Sequence, residues 1–230
     1  QYSAPGTQYK SYADGYYVSD RPLGPFRYAA INPFSAKPEG FVDGAGHSAT
    51  FQDKYGNYWH ISTMTISVKD IFERRLGLFP VTFDGHGNMI THTEFGDYPL
   101  IVPHHKLKNV SELYPRWMLL SYLKNAEASS TLDEHPAALA LDENIRDYWS
   151  AKTGNKGEWF CLDLGRISLV KAVQLNFAEN NTRLHARDGI QAQQYLLECS
   201  NDKKVWKTVA DQTANQQDLT HQYHAFRTAI

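Results

Sequence analysis

The sequence predicts an all-β fold in two unlike halves. Three observations predict it. Short runs rich in aromatic and β-branched residues recur along the chain, turn-forming residues separate them, and helical periodicity extends over one long stretch only, 108–129. Hydrophobic residues make up 42% of the 230, so a core can form, and the length suits one large or two ordinary domains.

The first half, residues 1–103, reads as strands. The runs are YYVSD (16–20), SATFQD (48–53), YWHISTMTIS (58–67), LGLFPVTFD (76–84) and MITHTEF (89–95). Turn signals stand between them at Pro5-Gly6, Asp14-Gly15, PLGP (22–25), KYGN (54–57) and DGHGN (84–88). Strands so short and evenly spaced suit a propeller, a barrel or a sandwich. DIFERRLG (70–77) has room for a single helical turn.

Residues 104–124 form a connector that mixes polar and apolar side chains around Pro115. Trp117, Met118, Leu119 and Leu120 call for burial, so it is expected to pack rather than float.

From 125 to 230 the chain is again β-rich. EWFCLDLG (158–165), LVKAVQLNFAE (169–179), IQAQQYLLECS (190–200) and VWKTVAD (205–211) read as strands of a β-sandwich, joined by Asn-, Asp- and Gly-bearing loops. Alternation puts Cys161 on the face of Trp159 and Asp163, and Cys199 on the face of Leu197. Free thiols are expected, and two cysteines neither require nor exclude an oxidising compartment.

Charge and hydropathy narrow the function. The net charge of −2 shows no footprint for nucleic acid. No apolar run approaches the roughly 20 residues that span a bilayer. Aromatics are plentiful, at 14 Tyr, 11 Phe and 5 Trp; such rings fill cores and also stack on sugar faces. The chain opens on QYSAPGT without a leader pattern and ends inside the alternation of HQYHAFRTAI, so both ends read as cuts through a longer protein.

Three phrases carry a resemblance in the first half: SDRPLGPFRY (19–28), GAGHSATFQDKYGNYWHISTM (44–64) and FERRLGLFPVTFDGHGNM (72–89). In this order they resemble the closing blades of the five-bladed β-propeller of glycoside hydrolase family 43. In the second half, ALALDENIRDYWSAKTGNKGEWFCLDLG (138–165) and YLLECSNDKKVW (195–206) are similar to the coagulation-factor 5/8 type C, or discoidin-like, jelly-roll sandwich, also seen in carbohydrate-binding module family 32. Glu143 replaces that pattern's usual Gly, and Asp147 stands where Thr is common. The sandwich is expected to continue beyond residue 230.

The first resemblance implies the C-terminal portion of a secreted, periplasmic or cell-surface inverting glycosidase, acting on arabinofuranosides or xylosides of plant-type or host glycans. An oligo- or polysaccharide is the implied partner. Such enzymes set two carboxyl groups about the scissile bond. The matching positions are expected upstream of residue 1, so no catalytic residue is assigned within this chain. The alternative is a non-catalytic glycan-binding or scaffold module.

Glu39, Asp43 and Asp53 flank the histidine motif, and their spacing marks no facing pair, so they read as solvated loop or turn carboxylates. His47 is the foremost site residue. Gly44 and Gly46 permit tight backbone passage, and the resemblance implies a histidine on the propeller axis, touching substrate and a water-rich Ca²⁺ ion; a hydrogen-bonded structural histidine is the other reading. Arg74, six residues before Pro80, matches the family's last-blade arginine; it either donates to sugar hydroxyls and carboxylates or pairs with an acid such as Glu73.

His86, His92, His104 and His105 lack the companions of a zinc site and read as surface histidines. In the sandwich, Trp149 and Trp159 are expected in the core, Asp142 and Asp147 are candidates for a structural Ca²⁺ loop, and Tyr148, Arg183, His185 and Arg187 are loop candidates for sugar contact.

Overall fold

The computed structural model describes residues 1–6, 9–65, 74–98, 100–114, 116–178 and 192–227. Its strands are β1 (Tyr2–Ala4), β2 (Ala13–Gly15), β3 (Tyr17–Val18), β4 (Arg27–Tyr28), β5 (Ser35–Ala36), β6 (Asp43–Gln52), β7 (Tyr58–Thr65), β8 (Arg74–Phe83), β9 (Met89–Thr91), β10 (Asn125–Ala128), β11 (Phe160–Asp163), β12 (Ala172–Asn176), β13 (Leu196–Cys199), β14 (Lys207–Asp211) and β15 (His221–Ala225). Single 3₁₀ turns at Thr93–Asp97, Val110–Leu113 and Ala137–Ala140 are the helical elements among the described residues. The all-β reading therefore holds. Two compact units form, one of residues 1–66, 71–116 and 143–145, the other of 67–70, 117–142 and 146–230.

In the first unit, β6-β7-β8-β9 make a four-stranded antiparallel meander, the sheet form of a propeller blade. Its two hairpin turns share one chemistry. Asp53 and Asp84 each accept the amide of the residue four positions on and that residue's side-chain amide, Asn57 and Asn88. Gly56 and Gly87 take the left-handed backbone, at φ 85° and 80°. Pro80 sits inside β8 without breaking it, because its carbonyl faces β9 and accepts from His92 beyond the end of that pairing.

The remaining strands of this unit form a three-stranded sheet, β1-β2-β5, and a hairpin, β3-β4. Tyr16, Ala29 and Phe34 bury one cluster, with Ile31 and Met89 against it. Ala45, Met64 and Phe79 bury a second, with Val42 against it.

Two expectations fail in the connector. Helical periodicity yields only the turn Val110–Leu113, and Trp117, Met118 and Leu119 are exposed. A proline at 115 excludes a continuous helix, so the apolar residues gain no common face to bury.

In the second unit the described strands pair as three two-stranded ribbons, β10-β11, β12-β15 and β13-β14. Several large side chains of these described segments stay open to solvent, Leu196 and Tyr223 among them. Trp159, expected in the core, is 48% exposed beside β11, whereas Trp149 is half-buried and donates Nε1 to the Ser130 carbonyl. Cys161 and Cys199 are free thiols, each half-buried.

Candidate functional site

The glycine-flanked histidine motif opens β6, and the backbone there departs from a regular strand. Pairing with β7 shifts between Gly44 and Gly46 and again between Gly46 and Ala49. Gly44, Ala45 and His47 have φ of 103°, 98° and 53°. Such bulges re-aim side chains, and a left-handed non-glycine residue is strained.

The residues around this segment hold it there. Gly44 exchanges backbone hydrogen bonds with Lys37, and Thr63 Oγ1 donates to the Gly46 carbonyl at 3.0 Å. The buried Tyr12 ring lies so close to Gly46 that an added Cβ would stand 2.4 Å from it. Asp43 to Gly46 are buried, and His47 is the first exposed residue of the strand. The bulges thus lift one imidazole out of a buried backbone, and no described residue hydrogen-bonds its ring.

Beneath His47 lies a polar network that motif reading missed. The His47 amide donates to Ser3 Oγ at 2.8 Å, and Ser3 Oγ donates to Asp14 Oδ1 at 2.5 Å. Asp14 Oδ2 faces His60 Nε2 at 3.2 Å, and Thr50 Oγ1 meets His60 Nδ1 at 2.9 Å. Gln1 Nε2 donates to Thr50 Oγ1 at 2.8 Å. Asp14 and His60 are wholly buried, with the Phe34 ring edge-on to the imidazole. Two unremarkable phrases, Asp14-Gly15 in a turn signal and His60 in a strand run, concealed the pair. Only the pairing of β1 with β2, which sets Ser3 opposite Asp14, brings the first link together.

Other expected site residues take varied places. Asp43 is buried, which corrects its reading as a solvated carboxylate: it opens β6 in regular register with Thr65, at the start of the buried run 43–46. Asp53 is fixed by its turn. Burial works to raise its pKa, but hydrogen bonds from Trp59 Nε1, Asn57 and Tyr55 outweigh this and lower it to about 2. Glu39 is exposed, as expected. Arg74 opens β8 opposite Thr65, which in turn faces Asp43, so Arg74 and Asp43 occupy one cross-strand row. The Arg74 side chain lies outside the described residues.

A second polar pair locks the loop before β6. Lys37, buried, reaches Asp97 at 2.8 Å, and Asp97 Oδ1 also accepts the Phe41 amide. Exposed rings gather on the neighbouring hairpin: Tyr17 packs edge-on to Tyr28 and tilted against Tyr2, with centroids 5.4 and 5.6 Å apart.

The histidines weighed for zinc each meet a different surrounding. His92 bridges Thr82 and Glu94, His105 faces Glu112, His104 packs on Tyr55, and His86 is exposed. Among the described residues no three His, Cys, Asp or Glu side chains gather as a metal would need. In the second unit Asp142 is half-buried and Asp147 exposed, and Tyr148 stacks on His135 at 4.2 Å. Arg183, His185 and Arg187 lie outside the described residues. Among the described residues no helix is long and apolar enough to cross a membrane.

Comparison with known proteins adds the following. Residues 125–230 match the F5/8 type C domain family. No curated protein matches the sequence. Among solved structures, the GH43 protein BlXynB of Bacillus licheniformis is 20% identical over 39% of this chain and 18% of its own, with a TM-score of 0.35. A glycoside hydrolase structure is 17% identical over 99% of this chain and 51% of its own, with a TM-score of 0.44. CpGH89CBM32-4 of Clostridium perfringens, in complex with GlcNAc-α-1,4-galactose, is 17% identical over 53% of this chain and 78% of its own, with a TM-score of 0.41. The chain spans less than a fifth of the length of the first of these structures.

Proposed function

We propose that this chain is the C-terminal portion of a secreted glycoside hydrolase acting on arabinofuranosides or xylosides, with an appended glycan-binding domain. The observation that carries the reading is the start of β6, where two bulges and strained backbone lift the His47 imidazole out of a buried segment. The family match at 125–230 supports the appended domain. Strain held in place at one exposed side chain is the pattern of a site rather than of packing.

In this reading His47 hydrogen-bonds a sugar hydroxyl, and Arg74 donates to the sugar or to the catalytic carboxylates. Those carboxylates come from chain other than these residues. A calcium ion prefers six to eight oxygen ligands. The described side chains around His47 do not supply them, so no step here runs through calcium.

The test is affinity electrophoresis of the 230-residue chain through gels containing arabinoxylan, xylan or a host glycan. Retardation by an arabinose- or xylose-bearing polysaccharide, reduced at least fivefold in His47→Ala, is the expected result. Equal mobility in every gel overturns the reading.

A further inference from the structure

We propose that Ser3 and Asp14 are positioning residues for His47: a hydrogen-bond chain from the first two strands, exposed at Ser3 and anchored on the buried Asp14, sets the direction of that imidazole. The inference rests on the reading of His47 as sugar-facing. It asks what holds His47 in a conformation that its own backbone disfavours.

His47 has φ 53°, a region where a residue with a Cβ stays only if its surroundings fix it. Its amide donates to a side chain 44 positions earlier, Ser3 Oγ. Hydroxyl chemistry makes that contact directional. Ser3 has one proton, and it points to Asp14 Oδ1 at 2.5 Å, which leaves a lone pair for the His47 N–H.

Asp14 is fixed in turn. Its second oxygen pairs with His60 Nε2, whose Nδ1 meets the Thr50 hydroxyl, and that hydroxyl accepts from Gln1. Asp14 is thereby held from both sides, by Ser3 at one oxygen and by His60 at the other. Asp14 and His60, wholly buried, cannot drift, so Ser3 Oγ stands as a fixed acceptor under an exposed residue.

Both contacts of the Ser3 hydroxyl, to the Asp14 carboxylate and from the His47 amide, serve to hold the chain, so Ser3 is assigned to positioning. Ser3 acts through His47.

The experiment uses the whole 230-residue chain. Amide hydrogen exchange at His47 and the ring resonances of His47 are measured by NMR for the unaltered chain, Ser3→Ala and Ser3→Thr, together with arabinoxylan binding and the melting temperature. Ser3→Ala is expected to speed exchange at His47 about tenfold, move its ring resonances and weaken binding, with melting nearly unchanged. Ser3→Thr, which keeps the hydroxyl, restores all three. Should Ser3→Ala not fold, Ser3→Cys keeps the volume and weakens the acceptor. Unchanged exchange and ring resonances in the folded variant overturn the proposal. If the unaltered chain binds no arabinoxylan, the sugar reading falls, while the exchange comparison still decides whether Ser3 fixes His47.

Discussion

His60 Nε2 lies 3.2 Å from Asp14 Oδ2, with both side chains shut away from solvent. Removing one partner strands a buried polar group, which costs about 3–5 kcal/mol when the pair is ionic and about 1–3 kcal/mol when the group left is neutral. Asp14→Ala and His60→Ala are each expected to lower unfolding free energy in urea by about 3 kcal/mol. The double variant should lose much less than the sum, because neither orphan then remains. Additive losses would mean that the two groups do not interact.

The twin turns give a comparison with an internal control. Asp53 holds a largely buried Trp59 Nε1 besides its turn amides, whereas Asp84 holds turn amides alone. Asp53→Ala should therefore cost about 2–3 kcal/mol, and Asp84→Ala about 1 kcal/mol. Equal costs in chemical denaturation would remove the tryptophan contact from the account.

Acid stability follows from Asp53. Its pKa is about 2 in the folded protein, below the ordinary 3.8. A depressed folded pKa contributes stability that is full above the unfolded value and is lost as pH falls through the folded one. The melting temperature of the chain should fall between roughly pH 4 and 2, and Asp53→Asn should flatten that decline. Glu158, tied to Ser129, Ser130 and Thr153, is also lowered to about 2 and adds a decline of the same sign in the second unit.

Much of the strand order was legible, and the reasons are local. The Asp-x-x-Gly-Asn turns at 53–57 and 84–88 announce their hairpins through residues that serve the turn itself. The tight backbone passage before His47 was legible in Gly44 and Gly46, which sit in the buried, irregular start of β6. The network beneath His47 was not, because Ser3, Asp14 and His60 are unremarkable in their own runs and gain meaning only through strand pairing. Trp159 misled in the opposite direction: a large ring suggests burial, but it stands just before β11, which among the described residues pairs with β10 alone, and the ring stays half open to water.

Position 143 offers a gain of stability. The discoidin-like pattern has Gly there, and Glu143 keeps a left-handed backbone, at φ 60°. A Cβ in that region costs about 1 kcal/mol, somewhat offset by the freedom a glycine adds to the unfolded chain. Glu143→Gly should raise the unfolding free energy by about 0.5–1 kcal/mol, and Glu143→Ala should not. A loss of stability in the glycine variant would show that the Glu143 side chain outweighs the backbone.

Gly46 tests whether the bulge that presents His47 depends on close approach. A Cβ at Gly46 would stand 2.4–2.6 Å from three atoms of the Tyr12 ring, which is buried. Something must then shift, and the bulged strand is the less firmly packed partner, because its next residue is exposed. Gly46→Ala should cost about 2–3 kcal/mol and displace the His47 ring resonances. Gly85→Ala, with nothing within 4 Å of the added carbon, serves as the control and should cost less than about 0.5 kcal/mol. Trimming the ring separates packing from backbone demand: Tyr12→Leu in the Gly46→Ala background should recover the His47 resonances and part of the stability. If the double variant is no better than Gly46→Ala alone, the clash is not what Gly46 avoids, and the bulge must be set by the hydrogen bonds of Thr63 and Ser3 instead.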